Sequence, residues 1–117
     1  MSDAHRVVLI STPGAEAGRQ LARVLVEERL AACGSVVPAV TSVYRWQGAV
    51  EEEEEALVVL KTAADRVEAL TRRTRELHPY EVPEILALPV AGGNPAYLEW
   101  VVEETRAAPS GPADAQT

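Results

Sequence analysis

The stretch from Ser35 to Thr62 sets the terms for this 117-residue chain, because it reads as two long β-rich segments joined by a turn short enough only for a hairpin. In the first segment Val36, Val40, Ser42, Tyr44 and Trp46 alternate with Val37, Ala39, Thr41, Val43 and Arg45, the period of two that a strand requires. Pro38 breaks the run. A proline is tolerated there only at an edge or a bulge, so a kink that divides a long strand in two is expected. Gln47-Gly48 supplies a two-residue turn with glycine available for positive φ. Val50 to Thr62 then makes a strand of about 40 Å at ~3.3 Å per residue, well beyond the usual length in small domains. The tip should project past the core, and the unpaired edge of such a ribbon invites association with another chain.

The remaining elements arrange themselves around that hairpin. Val7-Val8-Leu9-Ile10 is a continuous apolar run suited to a buried central strand. Thr12-Pro13 supplies a capping hydroxyl and a proline for the first turn of a helix that carries Ala17, Leu21, Val24 and Leu25 on one face and ends near Leu30. Ala64 to Leu77 is a second helix, with Val67, Leu70, Thr74 and Leu77 on one face and His78-Pro79 as its stop. Glu84 to Val90 is a fourth strand, and Asn94-Pro95 starts a third helix with Leu98, Val101 and Val102 on its apolar face. The order β, α, β, β, α, β with an added C-terminal helix defines an α+β fold of the ferredoxin-like type, an antiparallel sheet with both crossover helices on one face. The other face must be covered by the third helix or by another subunit. Residues 1–106 are expected to form a single domain and residues 107–117, rich in Ala, Pro, Ser and Gly, a disordered tail.

Charge and cysteine usage narrow the partners. A net charge of −7 repels phosphate backbones, so nucleic acid is not an expected partner. The apolar run near the N-terminus is too short for a membrane span or a signal sequence. One cysteine, Cys33, allows no internal disulfide, and a reducing, cytoplasmic setting is expected.

The chemistry-bearing residues are few. Leu77-His78-Pro79-Tyr80-Glu81-Val82-Pro83-Glu84 places imidazole, phenol and carboxylate on a proline-stiffened arm between the second helix and the fourth strand. His78 either acts in a site or favours the helix dipole at a C-terminus. No Cys-x-x-Cys or paired-His pattern accompanies it, so a zinc site built within one chain is excluded. Cys33 reads as a small buried hydrophobe, and His5 lies in a terminus expected to fray. In the acidic run, Glu51, Glu53 and Glu55 point one way and Glu52 and Glu54 the other. The run reads first as a solvated ribbon, with hard-cation binding or intersubunit arginine pairing as the alternatives. Tyr44 and Trp46 read as a packing patch for a neighbouring subunit, with ligand stacking second. Lys61, the single lysine, stands at a strand end either as a surface residue or as an anion anchor. Nucleophile elbows, phosphate loops and dinucleotide fingerprints do not occur.

With these residues in place, the chain resembles the CutA divalent-cation-tolerance family from about Val7 to Glu104. The resemblance rests on Glu28-Arg29-Leu30-Ala31-Ala32-Cys33, Thr41-Ser42-Val43-Tyr44-Arg45-Trp46-Gln47-Gly48, Leu60-Lys61-Thr62, His78-Pro79-Tyr80-Glu81-Val82-Pro83-Glu84 and Tyr97-Leu98-Glu99-Trp100. It implies a homotrimer, similar in architecture to PII signalling proteins, with clefts between subunits and a link to tolerance of copper and other divalent metals. It implies that Trp46, Lys61, Tyr80 and Glu84 surround the cleft and that His78 matches a histidine associated with copper. Ser11 stands where some members carry Cys, and Leu77 where some carry a second His; both remove soft or borderline donors.

The leading expectation is therefore a non-enzymatic homotrimer, without a tightly held cofactor, whose intersubunit clefts bind a metal ion, copper or another divalent cation, or a small anionic ligand. The rival is a PII-like interaction module that binds a partner protein through its hairpins with little metal affinity. A third reading is an acid-base enzyme using His78 and Glu84.

Overall fold

The computed structural model describes residues 3–106; the tail expected from Ala107 lies outside them. Strands β1 (His5–Thr12), β2 (Cys33–Trp46), β3 (Ala49–Ala63) and β4 (Ile85–Pro89) form one sheet, and helices α1 (Ala15–Glu27), α2 (Val67–Leu77) and α3 (Pro95–Glu104) complete the fold, with one 3-10 turn, Ala64–Arg66, leading into α2. The strand order is β2-β3-β1-β4 with every neighbour antiparallel. That is the ferredoxin-like arrangement, in which each βαβ crossover steps over one intervening strand.

The two sheet faces differ in kind. On one, Val8, Ile10, Val58 and Leu60 are fully buried and meet Leu21 and Leu25 of α1 and Leu70 of α2 in a single core. Gly34 permits the close approach of β2 to this core, since a Cβ there would lie 2.7 Å from Leu60 Cδ2. The other face carries Val7, Leu9, Val37, Leu57, Val59, Leu86 and Leu88, as the register requires. Helix α3 lies against only one end of it, where Tyr97 Oη sits 3.1 Å from Cys33 Sγ and His5 Nε2 meets the Leu98 carbonyl at 2.7 Å. The rest stays open, with Leu86 53% and Leu88 44% exposed.

Several local expectations hold and others are corrected. Gln47 and Gly48 both take positive φ, 50° and 84°, which closes the hairpin as a tight turn whose twist suits the strands. The register of β2 against β3 shifts between Val37 and Val40, placing a bulge at Pro38. The alternation holds on either side of that break and reverses across it. Asn94 caps α3, accepting from the Ala96 amide at 3.1 Å. Thr12, however, does not cap α1. It belongs to β1 opposite Ala56, its hydroxyl donates to the Gly14 carbonyl at 2.9 Å, and Gly14 begins the helix with Pro13 outside it. Helix α1 ends at Glu27 rather than near Leu30, because Arg29 adopts φ 61° and sends the chain back, the left-handed stop that usually falls to glycine. Cys33 is half-buried beside Tyr97, not enclosed, and His5 is held in β1.

The fifteen residues of β3 span about 50 Å at ~3.3 Å per residue, matching the 51 Å long axis of the molecule. The hairpin therefore projects, and its base is where a site forms.

Candidate functional site

Beyond the bulge, β2 and β3 pair Val40 with Glu55, Ser42 with Glu53 and Tyr44 with Glu51, so these side chains share the face of the sheet away from α1 and α2. Residues 78–84 fold back against it. The arm starts where α2 stops: His78 turns extended, and its amide makes the last helical bond, to the Thr74 carbonyl at 2.8 Å. Its imidazole is buried, 8% exposed. Nε2 lies 2.7 Å from the Ser11 carbonyl, and Nδ1 lies 3.1 Å from the Tyr80 amide. A carbonyl can only accept, so Nε2 carries the proton and Nδ1 accepts from Tyr80 N–H. Both ring nitrogens are thereby engaged in tying β1 to the arm.

The same bracket aims Tyr80. Its ring lies against His78 at a centroid distance of 4.7 Å, and its hydroxyl donates to Glu55 Oε2 at 2.8 Å. Burial, followed by this bond and the charge of Glu55, holds the Tyr80 phenol well above the ordinary range. Glu55 is 7% exposed. Tyr44 is displaced in the same direction, by desolvation first and by the neighbouring Glu53 carboxylate second.

Between hairpin and arm lies a cavity of about 790 Å³ whose walls include Ser11, Tyr44, Trp46, Glu53, Glu55, Tyr80 and Glu84. Three of the four cleft residues expected from the sequence, Trp46, Tyr80 and Glu84, thus meet in one chain. Lys61 does not join them. It stands on the same face of β3 but six residues from Glu55, about 20 Å away at ~3.3 Å per residue, with Nζ 3.3 Å from Ser35 Oγ and 3.4 Å from the Val59 carbonyl. Glu53 and Glu55 also line the cavity, whereas the sequence reading left them in a solvated ribbon. The signal was present: the odd-numbered glutamates alternate onto one face, and the register puts Tyr44 there too.

The cavity walls are acidic and aromatic. Among the described residues no group of three or more His, Cys, Asp or Glu converges to hold a metal, and His78 would have to give up one of two bonds to donate. The described residues of one chain therefore do not fit a resident copper centre. The same two bonds stand against acid-base chemistry at His78.

A second aromatic contact is testable through pH. Burial, then the bond to Cys33, pushes the Tyr97 phenol up to about 12, against about 10 in an unfolded chain. The folded state thus keeps a proton that the unfolded state releases first. The stabilising contribution is whole below pH ~10 and is lost as the pH rises through about 12. Urea midpoints measured from pH 9 to 12 should fall more steeply in the parent chain than in Tyr97→Phe, and equal slopes would refute the assignment.

Comparison with known proteins follows the same outline. A model of the family described as CutA1 divalent ion tolerance protein matches residues 6–104. The Divalent-cation tolerance protein CutA of Thermus thermophilus is 54% identical over 101 residues, covering 86% of this chain and 98% of that protein. A solved structure of the divalent cation tolerance protein from Thermus thermophilus superposes with a TM-score of 0.85 at 52% identity, covering 87% of this chain and 99% of that one. Protein CutA of Mus musculus is 47% identical over 96 residues, which are 82% of this chain and 54% of the mouse protein. The chain thus spans about half the length of that relative.

Proposed function

The chain belongs to the CutA1 divalent ion tolerance family, and on that premise we propose that it serves cation tolerance as a non-enzymatic homotrimer whose clefts bind a small ligand or a divalent metal. One observation supports this above the others. Trp46 from the hairpin and Tyr80 and Glu84 from the arm line a single cavity at the margin of an apolar sheet face that α3 covers at one end only, leaving Leu86 and Leu88 exposed. Association through that face would leave the cavity bordered by a second copy. Lys61 reaches such a cleft only as the contribution of another copy, where its ammonium would offset the acidic wall. Copper or another divalent ion would likewise need donors gathered from more than one copy, with His78 contributing after release of a bond. No helix among the described residues is long and apolar enough to cross a membrane, and the free Cys33 accords with a cytoplasmic setting.

Native mass spectrometry of the protein incubated with copper or zinc tests both halves at once. The expected result is a species of three 12.6 kDa chains carrying bound metal at micromolar concentration. A single subunit would overturn the trimer. A metal-free trimer would favour the second reading, a partner-binding module, which has its own observation: Val43 and Val50 near the hairpin tip are 64% and 65% exposed, at ladder positions on the sheet face opposite that of Tyr44 and Glu53.

A further inference from the structure

We propose that the cavity between hairpin and arm binds a neutral polyhydroxylated ring, the chemistry of a pyranose monosaccharide, on an aromatic wall with the Ser11 hydroxyl as a ligand contact. This rests on the reading of the cavity as the family's ligand cleft and names the ligand's chemistry.

The Ser11 hydroxyl is the starting point. Ser11 is 6% exposed, stands opposite Leu57 on the sheet face that also carries Glu53 and Glu55, and lines the cavity. Its carbonyl is taken by His78, but its Oγ makes no hydrogen bond to any described residue. Thr74 Oγ1 is the one fully enclosed side-chain oxygen or nitrogen without a partner among the described residues, so the Ser11 hydroxyl keeps an opening, and that opening is the cavity. A hydroxyl set so deep favours a ligand group that reaches it. Ser42, opposite Glu53, adds a second hydroxyl to the wall. Toward the tip, Tyr44 and Trp46 are 37% and 44% exposed on the same face. The negative face of an aromatic ring attracts polarised C–H groups, which a pyranose presents from its ring while its hydroxyls point outward around the rim. Ser11 and Ser42 can each donate or accept, and the carboxylates of Glu53 and Glu84 accept.

Other ligand classes fit less well. A bare divalent ion needs several oxygens converging within about 2.0–2.6 Å, and no such cluster forms among the described residues. An anion would meet Glu53, Glu55 and Glu84 at the wall. A cationic ligand is not called for either. Tyr80 already donates to Glu55, Glu53 and Glu84 are exposed to solvent, and in the trimeric cleft Lys61 of another copy supplies the positive charge. An uncharged ligand rich in hydroxyls remains, and a cavity of about 790 Å³ has the size of a small-molecule site.

Saturation-transfer NMR on the full chain tests the proposal with D-glucose, D-galactose and D-mannose as probes, cyclohexylmethanol as a ring stripped of its hydroxyl crown and glucose 6-phosphate as the charged counterpart. At least one sugar should give saturable transfer, strongest at its ring C–H protons. Cyclohexylmethanol should not displace it, and the phosphate should bind more weakly than glucose. Trp46→Ala should weaken the sugar by about tenfold or more. Ser11→Ala should weaken it by about threefold to tenfold, the loss of one hydrogen bond, with the thermal midpoint unchanged because the fold makes no use of that hydroxyl. Trp100→Ala, beside Tyr97 on α3, should leave binding as it is. Absence of saturable transfer from all three sugars overturns the proposal. So does equal weakening by Trp46→Ala and Trp100→Ala, which would mean indiscriminate stacking on exposed indoles, and so does unchanged affinity in Ser11→Ala. Glucose 6-phosphate bound more tightly than glucose also overturns it, by making the cleft an anion site. A copper-loaded trimer that ignores every sugar defeats this inference and leaves the family reading standing, whereas sugar bound by a single subunit upholds it and defeats the trimeric cleft.

Discussion

Chains carrying Leu86→Glu and Leu88→Glu together should run as single 12.6 kDa subunits while remaining folded. Both leucines lie on the open sheet face opposite Leu9 and Val7, and at 53% and 44% exposure they contribute little to the isolated fold. Substitutions at such exposed positions usually change stability by no more than about 0.5 kcal/mol. In an assembly the balance is different. Full burial of a leucine contributes about 1.5–3 kcal/mol, and each carboxylate placed in the dry interface instead costs several kcal/mol. The penalty recurs in every subunit, so self-association should be abolished rather than weakened. Native mass spectrometry reads the outcome and circular dichroism verifies the fold; a trimer that survives both substitutions would show that the copies meet elsewhere.

His78→Ala should lower stability by about 2–4 kcal/mol, since it leaves the buried Ser11 carbonyl and Tyr80 amide without partners and opens a void beneath them. For a domain of this size the thermal midpoint should drop by about 10 °C or more. A loss of metal or ligand uptake in this variant is then ambiguous, because the Tyr80 hydroxyl would also move from Glu55. Tyr80→Phe separates the two roles. It deletes the bond to Glu55 and keeps the imidazole bracket. Uptake lost in both variants marks His78 as a positioning residue, and uptake lost only in His78→Ala marks it as a direct donor. A midpoint unchanged in His78→Ala would contradict the bracket itself.

The two variants draw on parts of the molecule that differ in how far they could be read beforehand. Local signals carried the element order: Gln47-Gly48 for the turn, Pro38 for the bulge, Asn94-Pro95 for the start of α3. These depend on backbone geometry within a few residues. Errors arose where a residue had two possible employers. Thr12 could cap a helix or complete a strand, and pairing with Ala56 decided for the strand. Arg29 gave no warning that it would take the left-handed conformation normally left to glycine. Glu55 resembled its four acidic neighbours until the arm folded over it and Tyr80 reached its carboxylate. Burial of that kind comes from segments 25 residues apart and is invisible to spacing along the chain. His78 was visible as a chemical group, but the partners that occupy both its nitrogens were not.

The bulge at Pro38 works as a one-residue phase change. Below it, odd-numbered positions of β2 accompany Leu57 and Val59; above it, even-numbered ones accompany Glu53 and Glu55. Excising the extra residue there would run the ladder straight through and leave Tyr44 and Trp46 opposite Glu51 and Ala49, because the face each side chain takes is set by its pairing with β3 and not by counting along β2. A change of length at this one point is therefore absorbed as a change of bend, and the cavity wall keeps its side chains while the ribbon is re-aimed.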